Sequence, residues 1–225
     1  MSDMKFWLVA ILALIAVPVV FAEKGTFVDQ VQFVQYLDEN TALEEVRNGN
    51  LDMYYFRVSS DRIETEKARE GIQVFESTGG SYSILLNPSV SEHFNPFSIT
   101  DVRFALNYLV DRELIVNELI GGYGKTMISN YGTFAADYLS IIDEIESFHF
   151  RYNPFLANEI ITKELEKAGA EKIDGFWYHD GKQIEIMFFI RSDDHVRKSI
   201  GEVLSSELEK IGFKVKKDFG DLNKA

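Results

Sequence analysis

The chain has 225 residues, which is enough for one large domain or two small ones. Hydrophobic residues make up 46% and charged residues 26% of the sequence, which predicts a packed core rather than disorder. The 23 basic and 36 acidic side chains give a net charge of −13, and a surface of that sign argues against nucleic acid as a partner because it repels phosphate. Cysteine is absent, which excludes disulfides, thiolate metal sites, cysteine nucleophiles and a lipid-modified cysteine.

Residues 1–22 have the composition of an export signal. Lys5 supplies a positive charge, the stretch 6–20 is apolar, and Val20-Phe21-Ala22 offers a cleavage site before Glu23. The alternative is an uncleaved membrane anchor, for which the 17 residues 6–22 are at the lower limit of length. We favour cleavage, and in either case the remainder is predicted to lie outside the cytoplasmic membrane.

The first part of the remaining chain is predicted to alternate strands with short helices. One helix is expected from a cap at Thr41 to Asn48, and a second from Ser60 or Asp61 to Glu70. Alternating apolar positions and aromatic runs predict strands at 30–36, 51–58, 72–76 and 81–87.

The strongest helical periodicity begins after Thr100 or Asp101, either of which would serve as the cap. Its apolar positions are Val102, Ala105, Leu106, Leu109 and Val110. Asp111 is predicted to cap a further helical turn that ends at Gly121-Gly122. Residues 123–151 have little periodicity, and we expect a surface connection with one short helix there.

The last part of the chain is predicted to form a helix from Pro154 to Gly169, a hairpin, a helix at about 194–211 and a strand at 213–217. Asp180-Gly181 is a favoured two-residue turn, and it is predicted to join strands 176–179 and 182–190. Strands and helices alternate throughout, so the fold class is mixed α/β.

Three stretches, in this order, resemble the oligopeptide- and dipeptide-binding proteins of ABC transporters, solute-binding family 5. The first is the unit 42–52, with sequence ALEEVRNGNLD, and the second combines Asn95-Pro96-Phe97, the run 101–108, Val110-Asp111-Arg112 and Gly121-Gly122. The third extends from Ala157 through Ala168-Gly169 and Asp180-Gly181 to Ile211-Gly212 and Val215. Arg103 and Arg112 in the second stretch are predicted to pair with the capping carboxylates Asp101 and Asp111, mainly as scaffold.

The resemblance implies an α/β fold with a mixed sheet flanked by helices. This fold would be a partial lobe of a type II periplasmic binding protein of the peptide-binding subclass. After the signal, residues 23–225 would form a partial solute-binding domain, divided into strands and helices at about 40–90 and a helical and α/β lobe at about 91–225. Family members are considerably longer, with a segment before the first stretch and another after the third. We therefore expect either an incomplete chain or a shortened relative, and we favour an incomplete chain for the C-terminus. In this family the ligand is bound in a cleft between two lobes.

Two segments are candidates for lining such a cleft. Tyr54 and Tyr55, followed by Phe56, would cover an extended peptide with aromatic rings, or else form a core strand with hydroxyls reaching water. Gly80, Ser81 and Tyr82 follow Gly79 and suit a hinge or a wall where a ligand backbone approaches closely, or else a simple loop.

No motif predicts catalysis or metal binding. The four histidines lie outside any hydrolase or metalloprotease signature. Asp193, Asp194 and His195 could be considered as metal ligands, but adjacent residues rarely converge on one ion. Asp193 or Asp194 better suits a helix cap. We therefore expect no catalytic residue, no metal and no cofactor.

The resemblance implies a receptor, and the export signal places it in the periplasm or at the cell surface, with attachment to the membrane as the alternative if the signal is retained as an anchor. Its expected partners are a small peptide or other small polar solute and the membrane permease subunits of an ABC transporter, and we expect a monomer. The rival hypotheses are a secreted hydrolase with an unrecognised motif and an envelope interaction protein that uses a related fold without transport.

Overall fold

The computed structural model describes residues 28–77, 80–90, 92–132 and 135–224. These residues fall into two compact units, the first ending at Tyr54 and the second beginning at Tyr55. The export signal predicted at 1–22 lies outside the described residues. No helix within the described ranges is long and apolar enough to cross a membrane.

The described part of the first unit contains one helix, α1, at Glu39–Arg47. Asp38, not Thr41, is its N-cap: Oδ1 of Asp38 accepts hydrogen bonds from the backbone N–H of Thr41 at 2.9 Å and from its hydroxyl at 3.0 Å. The predicted cap is wrong because a carboxylate three residues earlier satisfies the free N–H group. After Arg47 the chain turns at Gly49, whose φ of +73° suits glycine.

The four strands predicted in the first part of the chain, at 30–36, 51–58, 72–76 and 81–87, are wrong. Their described residues form neither helix nor strand. Side-chain alternation shows that a segment would suit a sheet, but a strand also requires a neighbour that pairs with its N–H and C=O groups. No such neighbour lies among the described residues.

The helices of the second unit agree more closely with the periodicity. They are α2 at Ser60–Lys67, α3 at Thr100–Leu109, α4 at Ala136–Ser147, α5 at Pro154–Lys167 and α6 at His195–Lys210. A short 3₁₀ turn at Pro96–Ser98 precedes α3, and a helical turn at Arg112–Leu114 passes into a π-helical turn at Ile115–Leu119. Among its described residues the connection 123–151 holds one helix, as predicted, but α4 has 12 residues and is longer than the short helix expected.

Caps explain where several of these helices begin. Asp111 accepts a hydrogen bond from the Leu114 N–H at 2.9 Å, which confirms its predicted role. Asn153 caps α5 immediately before Pro154. The cap predicted for α3 is wrong: its N-cap is Ile99, which offers no side-chain acceptor, while Thr100 and Asp101 already lie within the helix.

The two motif arginines bind backbone carbonyls instead of the predicted carboxylates. Arg103 Nη1 donates to the carbonyls of Phe97 at 2.6 Å and Ser98 at 3.0 Å. Arg112 donates to the carbonyl and the side-chain oxygen of Asn107, at 2.9 and 2.8 Å. Helix C-termini and tight turns leave carbonyls without partners, and these guanidinium groups satisfy them, which makes both residues scaffold.

The described residues of the second unit form two sheets. Strands β1 (Ala170–Ile173), β2 (Phe176–His179) and β3 (Lys182–Gln183) form an antiparallel sheet. Strands β4 (Glu185–Arg191) and β5 (Lys214–Gly220) form a parallel pair, with registers from Glu185 opposite Lys214 to Arg191 opposite Gly220. The parallel and antiparallel pairings thus occur in two separate sheets.

The predicted turn at Asp180-Gly181 is confirmed, with φ of 49° and 71° at the two positions. The strand predicted after it at 182–190 is divided at Ile184. This residue is buried; its N–H donates to Trp177 of the first sheet, and its carbonyl accepts from Lys214 of the second. Strand β1 and its turn at Asp174-Gly175 were not predicted.

The core of the second unit lies between α3, α5, the antiparallel sheet and the end of α6. Its members with no exposed surface are Val102, Ala105, Ala157, Ile161, Leu165, Trp177 and Phe213. Burying a side chain of the Val, Leu or Ile type stabilises a fold by about 1.5–3 kcal/mol. The apolar stripes of α3 and α5 therefore fix these helices against the sheet.

Candidate ligand-binding site

Tyr54 and Tyr55 belong to different units. Tyr54 is half-buried, and its burial, with the charges of Glu39 and Asp38, raises the pKa of its hydroxyl. Tyr55 is 82% exposed and Phe56 is 79% exposed. The core-strand alternative for this run is therefore wrong for Tyr55 and Phe56, which leave their rings open to solvent.

The second candidate segment is described from Gly80 onward, and Gly79 lies outside the described residues. Gly80 has φ of +79°, a left-handed conformation that favours glycine, and apart from its own residue and its two chain neighbours no described heavy atom lies within 4 Å of where a Cβ would stand. Ser81 is exposed, whereas Tyr82 is half-buried. The backbone at Gly80 is thus open to close approach by another chain.

Two arginines contact the ring of Tyr82. The guanidinium carbon of Arg57 lies 5.4 Å from the ring centroid, and that of Arg197 lies 5.1 Å from it. Both distances fall within the range of cation–π attraction. Asp194 joins the two arginines, since its Oδ2 lies 2.6 Å from Arg197 Nη1 and 3.5 Å from Arg57 Nη2. We call Arg57, Tyr82, Asp194 and Arg197 the Tyr82 cluster.

Asp194 also holds the start of α6. Its Oδ1 accepts hydrogen bonds from the N–H groups of Val196 and Arg197, each at 3.0 Å, so it is the predicted helix cap. Burial opposes ionisation of this carboxyl, but the backbone donors and the charges of Arg57 and Arg197 together hold its pKa below the ordinary value. The cluster therefore contains one carboxylate and two guanidinium groups.

The Tyr82 cluster lies near the carboxyl ends of the parallel strands. Strand β4 ends at Arg191, Ser192 donates its N–H to the carbonyl of Gly220 at the end of β5, and Asp194 follows two residues later. Arg191 pairs with Asp193 through two contacts of 2.9 and 2.5 Å. In open α/β sheets, ligands bind outside the carboxyl ends of the strands.

The metal alternative for Asp193, Asp194 and His195 finds no support, because these carboxylates are paired with arginines and no group of metal-binding side chains occurs within the described ranges. Sequence reasoning named Tyr82 but missed Arg57 and Arg197. The spacing of Asp194 and Arg197 by three residues in a helix could have indicated their ion pair. No spacing in the sequence connects Arg57 to Asp194.

Comparison with known proteins decides the family. Residues 20–224 match the model described as bacterial extracellular solute-binding proteins, family 5, middle segment. The chain belongs to solute-binding family 5. The family is one of extracellular binding proteins rather than enzymes, and the chain is accordingly extracytoplasmic.

Curated relatives agree with this membership. The family 5 chain is 26% identical over 198 residues to the oligopeptide-binding protein AppA of Bacillus subtilis, covering 87% of this chain and 34% of that protein. It is 27% identical over 158 residues to the periplasmic oligopeptide-binding protein OppA of Haemophilus influenzae, covering 69% of this chain and 28% of that protein. The chain thus spans about a third of the length of these relatives.

Solved structures confirm the fold class. AppA of Bacillus subtilis in complex with a nonapeptide superposes with a TM-score of 0.60 and 24% identity, covering 82% of this chain and 35% of that one. NikZ of Campylobacter jejuni in complex with Ni(L-His) gives 0.62 and 24%, covering 84% and 35%. This family 5 chain therefore has the α/β fold of part of a periplasmic binding protein.

Proposed function

We propose that this family 5 protein is the extracytoplasmic substrate-binding component of an ABC transporter and binds peptides or similar small polar solutes for uptake. The observation that carries this proposal is the match of residues 20–224 to the family model. It is supported by the names of two relatives, which are oligopeptide-binding proteins. Its partners would be the solute and the membrane permease subunits, with the protein itself a monomer.

The candidate ligand-contacting residues are Tyr55, Gly80, Ser81 and Tyr82 of the second unit and, separately, Tyr54 of the first unit. Gly80 and Ser81 offer exposed backbone to which a peptide main chain can bond irrespective of its side chains. The exposed ring of Tyr55 and the half-buried ring of Tyr82 would cover apolar parts of the solute. Sequence-tolerant affinity of this kind suits a receptor for varied peptides.

Solute binding would shift the protein from an open to a closed form because the solute binds the closed form more tightly. A solute favours closure only by the extra free energy with which it binds the closed form. The permease would then recognise that form and receive the solute chemically unchanged. We place the protein in the periplasm or at the cell surface, with residues 1–22 either removed as a signal or retained as an anchor.

Thermal unfolding of the protein expressed from its native gene, with a panel of short peptides, tests this proposal. A ligand at one hundred times its Kd stabilises the native state by about 2.7 kcal/mol, which raises the Tm measurably. The peptides should be recovered intact by mass spectrometry after incubation. Cleaved peptides would support the hydrolase alternative, and a Tm unmoved by every peptide would overturn solute binding.

A further inference from the structure

Arg57 is the least neutralised member of the Tyr82 cluster. Its side chain is 53% exposed, and its contact with Asp194 is 3.5 Å long, beyond the usual hydrogen-bond range of about 2.7–3.2 Å. Asp194 is already engaged by Arg197 at 2.6 Å and by two backbone N–H groups. Asp194 therefore bonds mainly to Arg197, and N–H groups of Arg57 stay available to another acceptor.

The ring of Tyr82 fixes where those donors lie. A guanidinium attracted to an aromatic ring keeps the N–H groups at its own edge available for hydrogen bonds. Arg57 is thus held beside one proposed site residue, at the carboxyl end of the β4–β5 pair, on the exposed side of the cluster.

The local charge favours an anion. The cluster holds two guanidinium groups and one carboxylate, while Asp193 is occupied by Arg191. The net charge of −13 opposes an anionic solute at long range, but salt screens exposed charges over about 8 Å at physiological ionic strength. Within the cluster itself the guanidinium groups exceed the carboxylate by one positive charge, while Asp221, whose charge acts on Arg191, lies outside the cluster.

We infer that Arg57 binds a carboxylate group of the solute. This inference rests on the proposed function and adds the chemical group that the site selects. A planar guanidinium pairs with a carboxylate through two parallel hydrogen bonds, a geometry that its single long contact with Asp194 does not supply. The N-terminus of α6 is not part of the proposed site because Asp194 already occupies it.

The test compares wild type with Arg57→Gln in calorimetric titrations of the protein expressed from its native gene. The probes are mixed neutral pentapeptides with a free α-carboxylate, the same mixture amidated, and an amidated mixture with one glutamate. Arg57→Gln should weaken binding of carboxylate-bearing peptides by about ten- to a hundredfold, the size expected for a hydrogen bond to a charged group. Binding of the amidated peptides that lack glutamate should change little.

Comparing the peptides with a free α-carboxylate and the amidated peptides with one glutamate shows whether Arg57 binds an α-carboxylate or an acidic side chain. Arg57→Lys should retain part of the preference because it keeps the charge but loses the paired hydrogen bonds. Arg151→Gln is the matched control: it removes the same charge from an exposed position outside the cluster and should leave every affinity unchanged. Tm values compare the folding of the variants.

Each outcome bears on a different statement. If wild type binds no peptide, the proposed function itself fails. If wild type binds free and amidated peptides equally, the carboxylate role fails while solute binding stands. If Arg57→Gln or Arg57→Lys weakens free and amidated peptides alike, Arg57 only positions Tyr82, and the inference is overturned.

Discussion

Gly201 on helix α6 lies so close to Ile190 of β4 that a Cβ at position 201 would stand 2.7 Å from the Cγ2 atom of Ile190. Two further atoms of Ile190 would lie at 2.9 and 3.2 Å. Ile190 is itself buried at 2% exposure, so it has little room to move. The absence of a side chain at position 201 therefore sets how closely α6 approaches the parallel pair.

Gly201→Ala should destabilise the protein by about 1–2 kcal/mol. Alanine gains about 1 kcal/mol in helix propensity, but overpacking a filled site costs about 1–3 kcal/mol, and three close contacts place this site toward the high end. Urea unfolding measures the difference. In an Ile190→Ala background the same change should be neutral or stabilising, and an equal loss in both backgrounds would contradict the close packing.

Asp194→Ala should cost about 1 kcal/mol or somewhat more, because the N–H groups of Val196 and Arg197 lose their acceptor. Asp194→Ser keeps an acceptor and loses the charge, so its cost should be smaller. Asp101→Ala is the matched control, since Asp101 lies inside the first turn of α3 and does not cap it. A cost at Asp101 as large as that at Asp194 would argue against capping.

Acid should weaken the end of the fold that contains the Tyr82 cluster. The hydrogen bond from Arg191 holds the pKa of Asp193 below its ordinary value, and the pKa of Asp194 is also lowered. A carboxyl with a depressed folded pKa contributes stability that is fully present above about pH 4, its unfolded value, and that is lost as pH falls through the folded value. Urea midpoints at about pH 6 and pH 3 should therefore differ less in Asp193→Asn and Asp194→Asn than in wild type.

Trp177→Phe should destabilise the core by about 2 kcal/mol. Trp177 has no exposed surface, and its Nε1 donates to the carbonyl of Ile211 at 2.9 Å. Lys172 also donates to that carbonyl, at 3.1 Å, so the cost comes mainly from lost volume. Circular dichroism follows the unfolding, and Phe176→Leu, at a neighbouring position that is 43% exposed, should cost much less.

Local sequence signals predicted the helices α3, α5 and α6 and the turn at Asp180-Gly181, because periodicity and turn chemistry act within a few residues. They failed for the strands before residue 90, since pairing depends on a distant partner. Strand β1 was missed because Ala170, Glu171 and Lys172 are weak strand formers.

The candidate site was predictable only in part for the same reason. Gly80 and Tyr82 were named from glycine chemistry and an aromatic side chain. The spacing of Asp194 and Arg197 could indicate their ion pair, but nothing in the sequence relates Arg57 or Arg197 to Tyr82, because that contact exists only in the folded chain. An arginine on an irregular segment is, in sequence alone, an ordinary solvated charge.

Tyr152 supplies a test at the alkaline end. Its hydroxyl donates to Glu207 Oε2 at 2.9 Å, and partial burial, followed by this hydrogen bond and the charge of Glu207, raises its pKa to about 12. A tyrosine whose folded pKa exceeds its unfolded value of about 10 contributes stability that is fully present below pH 10 and is lost as pH rises toward 12.

Ultraviolet titration of tyrosinate should therefore show that Tyr152→Phe removes ionisation from the most alkaline part of the curve, near pH 12. Glu207→Gln should shift that part toward pH 10, because the charge next to the hydroxyl is gone while an acceptor remains. Stability measured between about pH 10 and pH 12 should fall less steeply in Tyr152→Phe than in wild type. If Tyr152→Phe instead removes absorbance near pH 10, Glu207 does not hold the proton on this hydroxyl.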